Sequence, residues 1–296
     1  MKKAVIDLGT NTFNLLIVDI DGDFFKVLHS EKEGVSLGMG GINDQRISPA
    51  AIKRAFNTMS RFKEICNQMG VETIKAIGTS AIRDAKNASE LIDAVNEELG
   101  IQIEIVSGFR EAELIHLGIS ASHDFLQHAL IMDIGGGSTE FISADHTGIL
   151  DLVSLNIGVS RIYQFFELSD PLSEMDVAKI EEWLHSKAGS FFDHRKETVL
   201  IGASGSFETF YELMHNDAFP EQCRSVEIPV SQLLDILDAI ITSTQMERDR
   251  NEWIIPIRKK MAPIAAVKTR WVLKQLPVTK VFISPYSLKE GVIFEK

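Results

Sequence analysis

Two stretches of this chain share one grammar, and that repetition constrains the fold more than any other feature. Leu130-Ile131-Met132-Asp133-Ile134-Gly135-Gly136-Gly137-Ser138-Thr139-Glu140-Phe141-Ile142 is an apolar strand that enters an aspartate, turns through three glycines and two hydroxyl residues, and resumes as a strand. Ala4-Val5-Ile6-Asp7-Leu8-Gly9-Thr10-Asn11-Thr12-Phe13-Asn14-Leu15-Leu16-Ile17-Val18 is built alike, with Asp-x-Gly leading into a small polar turn. Each copy opens roughly one half of the protein. Consecutive glycines let a backbone approach a ligand closely and reach positive φ without a Cβ penalty. Such a turn aims N–H groups into one concavity, a nest for phosphate oxygens. A third turn of small residues, Gly202-Ala203-Ser204-Gly205-Ser206, follows the apolar run Thr198-Val199-Leu200-Ile201. A single turn of this kind is as readily a glycine-rich hairpin with chance acids nearby. Three of them, each after a strand, point to phosphate. Asp133 and Glu140 flank the central turn and would repel that phosphate unless a divalent cation such as Mg²⁺ lay between.

The remaining segments supply the scaffold. Strands are expected over 3–9 and 13–20, then Asp21-Gly22-Asp23 as a hairpin signal and a third strand from Phe24 to Ser30. Gly34 to Gly41 reads as a loop near the cleft. Ser48 caps a helix with Pro49 in its first position, and the stripe Ile52, Phe56, Met59, Phe62, Ile65, Met69 carries it to Gly70. A strand over 73–78, a helix over 88–99, a strand over 101–106 and a turn at Ser107-Gly108 feeding a helix complete the first half. In the second half, strands are expected over 129–134, 140–144, 149–156 and 198–202. Helices are expected near 159–168, from Ser173 to about Phe192, over Ser206–His215, and from a cap at Val230-Ser231. Strand Lys280–Ser284 and a helix from Ser287 follow. The region Arg248–Leu276 reads as helical and carries Arg258, Lys259, Lys260, Lys268 and Arg270. Such a cluster is most often a solvated face; a basic rim for a polyanion is the alternative. Strands first, then alternating helices and strands, make this an α/β chain with mixed sheets.

Composition narrows the function. With 296 residues the chain is long enough for two domains, and 45% hydrophobic and 24% charged residues suit an ordinary globular protein. A net charge of −12 argues against nucleic acid and anionic membrane as partners. The apolar run after Lys2-Lys3 breaks at Asp7, too soon for a signal peptide, and no run reaches the length of a membrane span. Cys66 and Cys223 have neither disulfide-framework nor metal-ligand spacing and read as buried thiols of a reduced, cytoplasmic protein.

Taken together, Asp7-Leu8-Gly9-Thr10-Asn11, Ser107-Gly108 with Glu111-Ala112, Asp133-Ile134-Gly135-Gly136-Gly137-Ser138-Thr139-Glu140 and Gly202-Ala203-Ser204-Gly205 resemble the exopolyphosphatase/guanosine pentaphosphatase (Ppx/GppA) family, in order and spacing over nearly the whole chain. The resemblance implies two ribonuclease-H-like domains of the actin and sugar-kinase superfamily around a phosphate-binding cleft. The expected division is 1–120, joined by the helix at about 285–296, and 121–284. By motif position, Glu111 matches the general base that draws a proton from the attacking water, and Arg83 an arginine on substrate phosphates. Asp7, Asp133 and Glu140 match carboxylates around the metal, Mg²⁺ or another divalent cation. Gly9, Thr10, Asn11, Gly135, Gly136, Gly137, Ser138, Gly202, Ser204, Gly205 and Ser206 match the phosphate cradle. Longer members carry a further C-terminal helical region; a short form is expected to prefer short polyphosphate. Family members commonly pair, so a homodimer is expected.

The chemistry is reasonable on its own terms. Hydrolysis of a terminal phosphoanhydride needs positioning, charge neutralisation and an oriented water. A carboxylate crowded by others and removed from water rises toward neutrality, which suits a base. Arg83 has a competing reading as an ion-pair partner of Asp84 or a nearby glutamate, and Glu111 as a solvated acid in a first helical turn. Ser138 and Ser204 lack a histidine at recognisable spacing and read as hydrogen-bond donors. The leading expectation is an exopolyphosphatase. The alternatives are a guanosine pentaphosphate phosphohydrolase, a kinase of the shared superfamily, or a non-catalytic sensor of polyphosphate or nucleotide.

Overall fold

The computed structural model describes residues 1–22, 24–220 and 224–295. Asp23 and Cys223 therefore lie outside the described residues. The first half opens with β1 (Lys2–Leu8), β2 (Thr12–Asp21) and β3 (Phe24–Gly34), an antiparallel meander. Helix α1 (Pro49–Gln68) then leads to β4 (Thr73–Gly78), which pairs parallel with β1. Short α2 (Ser80–Asp84), α3 (Ala88–Leu99) and β5 (Ile103–Ile105) follow, giving the sheet order β3-β2-β1-β4-β5.

The second half starts after α4 (Gly108–Ser120) and uses the same plan. β6 (Ala129–Ile134), β7 (Thr139–Asp145) and β8 (Gly148–Leu155) form the meander, followed by α5 (Val159–Phe165) and α6 (Glu174–Ala188). β9 (Val199–Ala203) pairs parallel with β6, and α7 (Ser204–His215) leaves it directly. Then come β10 (Val226–Ile228), α8 (Val230–Thr242), α9 (Gln245–Arg250), α10 (Ala262–Gln275), β11 (Lys280–Ile283) and α11 (Leu288–Phe294). The order β8-β7-β6-β9-β11 repeats the first sheet, with β10 added antiparallel at the edge. Two sheets of one topology, each beginning as a meander and continuing in parallel, are the ribonuclease-H-like pair that the resemblance implied.

Strand alternation decides what faces the cleft. Along β1, Ala4, Ile6 and Leu8 enter the core under α1 and α3, while Val5 turns the other way, into a core shared by α4, α11 and both sheets. Along β6, Leu130, Met132 and Ile134 enter the core of the second half, and Ala129 and Ile131 join the shared one. Asp7 and Asp133 have the parity of Val5 and Ile131, so a period of two carries both to the inner face at the strand ends.

Several expected boundaries move. The region from Arg248 is not one helix: α9 stops at Arg250, turns run to Met261, and α10 starts at Ala262. Pro256 removes a helical donor and restricts Ile255, whereas Pro263 sits in the first turn of α10, where no donor is missed. Helix α6 ends at Ala188 because Gly189 takes a positive φ of 55°. α5 ends at Phe165, before 168, and β5 holds only three residues of the expected 101–106. β3 runs on to Gly34, since its pairing with β2 continues through Thr12. β10, at three residues, is too short for any periodicity to reveal. α8 is capped at Pro229 without a side-chain bond, so Ser231 is not its cap. The Ser48 cap does form, accepting from the Ala51 N–H. Among the described residues no helix is long and apolar enough to cross a membrane.

Candidate active site

The two repeated hairpins meet tip to tip. Asp7 pairs across the strands with Asn14, and Asp133 with Glu140, in the same register relative to their turns. The glycines are required by contact rather than by φ: none of Gly9, Gly135, Gly136 and Gly137 has a left-handed backbone, contrary to expectation. A Cβ on Gly136 would stand 2.8 Å from the Asn11 amide carbon, and one on Gly137 would stand 2.7 Å from Thr10 Oγ1 and 2.4 Å from Ser80 Oγ. A Cβ on Gly9 would stand 2.8 Å from the Thr12 carbonyl oxygen. The triple glycine therefore lets one hairpin seat against the other. Helix α5 closes it from behind, its first N–H groups donating to the carbonyls of Gly135, Gly136 and Gly137.

Among the described residues five carboxylates line the cleft, and four of them, Asp7, Asp133, Glu140 and Glu111, are raised. Burial pushes Asp7 up to about 6, against a 2.9 Å hydrogen bond from Asn14 Nδ2. Burial also raises Asp133, although it accepts from Ser204 and Ser287. Glu140, 1% exposed, is pushed up to about 7 by burial and by Asp133, despite a 2.7 Å bond from Ser154 Oγ. Glu111 stands in the first turn of α4, on the face that also carries buried Ile115, and is 7% exposed. Burial and the nearby Glu140 raise it well above the ordinary carboxylate range, with Arg83 opposing. Arg83 Nη1 donates to Glu111 Oε2 at 2.7 Å and to the Val106 carbonyl at 3.1 Å, and its Nε lies 3.8 Å from Asp84. The ion-pair reading of Arg83 holds, and its partner is the candidate base.

The third turn adds a strained residue. Ser204, directly after β9, has φ of 67°, a region that non-glycine residues seldom enter, and its hydroxyl donates to Asp133. Helix α7 begins here, two residues earlier than expected, and aims its N-terminus into the cleft. Beside this turn lies a cationic wall. Lys32 Nζ lies 2.5 Å from Glu208 Oε2, Arg258 Nη2 3.6 Å from the same oxygen, and Lys289 Nζ 2.7 Å from Glu290. Burial alone would raise Glu208, but Lys32 and Arg258 outweigh it and bring it down to about 2.

The cleft is lined by Asp7, Gly9, Thr10, Asn11, Glu111, Asp133, Gly135–Gly137, Ser138, Glu140, Ser204, Gly205 and Ser206, as anticipated. Two expected residues stand behind it: Arg83, against Glu111, and Gly202, beneath the ring of Phe207. Sequence reasoning missed Lys32, Glu208, Ser287 and Lys289, which come from segments without a phosphate motif. It also placed Arg258 and Lys268 on a solvated face. The opposite holds: Arg258 lines the cleft, and Lys268, 1% exposed, donates to Thr139 behind the central turn. Burial brings Lys268 down to about 7, against the pull of Glu140 and Asp133. The apolar spacing of α10 around Lys268 was the available signal, since a lysine within so apolar a stretch has few ways to reach water.

Comparison with known proteins resolves the lineage of this cleft. The model of the Ppx/GppA phosphatase family matches residues 16–296. The chain belongs to that family. A solved exopolyphosphatase from Cytophaga hutchinsonii is 35% identical, with a TM-score of 0.95, the match covering 99% of this chain and 97% of that one. A guanosine-5'-triphosphate,3'-diphosphate pyrophosphatase from Aeromonas salmonicida is 27% identical over 98% of this chain and 58% of its own length. A bifunctional 3-dehydroquinate synthase/phosphatase from Fusobacterium nucleatum is 34% identical over 70% of this chain and 33% of its own. The chain thus spans between a third and three-fifths of these curated relatives. The fold and its two hairpin turns are accordingly those of a member of the Ppx/GppA phosphatase family.

Proposed function

We propose that the protein is an exopolyphosphatase, hydrolysing the terminal phosphoanhydride of inorganic polyphosphate with Glu111 as general base. One observation carries this reading: a buried carboxylate, raised well above its ordinary range and gripped by Arg83, faces three turns of small residues across one cleft. Glu111 would accept a proton from water as its oxygen attacks the terminal phosphorus. The bond to the bridging oxygen breaks, and the shortened chain leaves with that bond's electron pair. Backbone and hydroxyl donors of the turns hold non-bridging oxygens without side-chain selectivity, which suits a uniform polymer. Lys32, Arg258 and Lys289 outnumber their partners Glu208 and Glu290, and the excess positive charge would favour phosphate in the cleft. The solved relative from Cytophaga hutchinsonii, described as an exopolyphosphatase, supports this substrate.

Asp7, Asp133 and Glu140 are the residues that would hold a divalent cation such as Mg²⁺. Among the described residues no three acids, histidines or cysteines stand close enough to form a cage. Mg²⁺ is commonly held by one or two carboxylates, with substrate oxygens and water completing its shell, so one or two of these three would serve. Bound there, it would neutralise phosphate charge beside the raised carboxylates. A second reading, guanosine pentaphosphate as substrate, is favoured by the Aeromonas relative, which matches almost the whole chain.

The test is phosphate release with Mg²⁺ from short polyphosphate, long polyphosphate, guanosine pentaphosphate and ATP, comparing wild type with Glu111→Ala. Release from polyphosphate that collapses in the variant is the expected result. Release from the nucleotide alone would favour the second reading. Binding of polyphosphate without turnover of any substrate would make the protein a sensor and remove the role given to Glu111.

A further inference from the structure

A chain of charged side chains joins the central glycine turn to Glu111. Arg161, in the first turn of α5, is 8% exposed. Its Nε donates to the Gly137 carbonyl at 2.7 Å, its Nη1 to the Ile42 carbonyl at 3.1 Å and its Nη2 to Ser80 Oγ at 3.4 Å. The same Nη2 pairs with Asp84. Gly137 belongs to the turn of the second sheet, whereas Ile42, Ser80 and Asp84 belong to the half built on the first. Asp84 in turn faces Arg83 at 3.8 Å, and Arg83 holds Glu111 at 2.7 Å. Signs alternate along the line Arg161, Asp84, Arg83, Glu111. Neighbouring bonds brace it: Gln164 Nε2 donates to the Gly38 carbonyl at 3.0 Å, and Asn43 Nδ2 to the Arg161 carbonyl at 3.1 Å. A guanidinium has donors on separate edges of one rigid plane and can serve carbonyls on one side and a carboxylate on the other, which a lysine ammonium cannot do.

We infer that Arg161 is a positioning residue, tying the Gly135–Gly137 turn to the Arg83–Glu111 pair through Asp84 so that cradle and base keep one relative geometry. The inference rests on Glu111 as the base of the proposed reaction. Arg161 itself touches neither substrate nor reacting atoms; its effect is on where the base stands relative to the terminal phosphate. Misplacement of a reacting group by about 1 Å is enough to cost roughly 100-fold in rate.

Phosphate release from tripolyphosphate by Arg161→Ala, Arg161→Lys, Asp84→Asn and the Arg161→Ala/Asp84→Asn double variant tests it, with hydrogen exchange on the same proteins. Arg161→Ala is expected to lower kcat by about 100-fold. Lysine at this position restores only part of that loss, because it lacks the fork. Asp84→Asn lowers kcat as well, and the double variant is no worse than the poorer single one, since both break one connection. Exchange rises together in 135–138 and 108–112 in each variant. Arg195→Ala, which breaks a buried pair at the far end of the second sheet, serves as the structural control and lowers the melting temperature with kcat unchanged. A kcat for Arg161→Ala within about threefold of wild type overturns the inference, as do losses that multiply in the double variant. If wild type releases no phosphate from any substrate, the proposed function fails, and exchange decides alone: unchanged exchange at 108–112 overturns the inference. If Arg161→Ala does not fold, Arg161→Lys and Asp84→Asn carry the same tests.

Discussion

Glu140 and Glu197 lie at opposite ends of the second sheet, each 1% exposed, and burial has opposite outcomes for them. Burial would raise Glu197, but Ser143 and Arg195 donate to it at 2.8 Å each and hold it below its ordinary range. Arg195 is itself fixed, with its guanidinium 3.7 Å from the Phe191 ring centroid and its other arm on Asp151. Burial carries Glu140 up to about 7, with Asp133 beside it, against hydrogen bonds from Ser154 and Ser138 and only the more distant charge of Arg83. Glu111 has an arginine and is still raised, because Glu140 and Asp7 stand close. Equal exposure to solvent therefore does not by itself set the pKa of an acid. The number of donors set against the number of like charges does.

That contrast can be broken at several points. The largest effect is expected at Glu111, where replacement by Gln should lower phosphate release about 1,000-fold with the melting temperature kept or raised. A loss under tenfold would make Glu111 a structural acid of the Glu197 kind. Glu197→Gln should do the converse: it removes one of the two carboxylates on Arg195 and the charged acceptor of Ser143, and costs about 2 kcal/mol in urea unfolding, with kcat/KM unchanged.

The third point is pH. A carboxyl whose folded pKa lies above its unfolded value lowers stability progressively as pH rises from the unfolded value through the folded one. With Asp7 at about 6 and Glu140 at about 7, chelator-treated protein should lose stability between about pH 4 and 7. Glu140→Gln should flatten the upper part of that slope and gain about 2 kcal/mol at pH 8. An unchanged slope would place Glu140 among the satisfied acids.

The smallest effect is at Asp176, which completes the capping box of α6 with Ser173. Hydrogen bonds from Ser169 and Ser173 draw it down to about 2. Its folded pKa is depressed, so its contribution is present above about pH 4 and fades as pH falls toward 2. Asp176→Ala should cost about 1 kcal/mol at pH 7 and close to nothing at pH 2, read from thermal midpoints.

Much of the site was legible because its signals are local. Asp7 and Asp133 close apolar strands before tight turns, and a period of two was enough to carry them to one face. Ser48 and Ser173 announce their helices through bonds that span only a few residues. The cationic wall was not legible. Lys32 lies late in β3, Glu208 in α7, Arg258 in the turn before α10 and Lys289 in α11, and nothing within those segments says they meet. Nor did the triple glycine disclose its purpose, since it serves a neighbouring hairpin rather than left-handed backbone.

By itself, then, the chain determined two copies of a strand–turn–strand unit, their inward aspartates and a glutamate in the first turn of α4, because alternation, capping and turn chemistry act over a few residues. Tertiary structure decided which charges stay unbalanced. Whether an acid keeps an ordinary pKa or rises toward neutrality depends on water lost and on charges within a few ångströms, and both come from segments far apart in the chain.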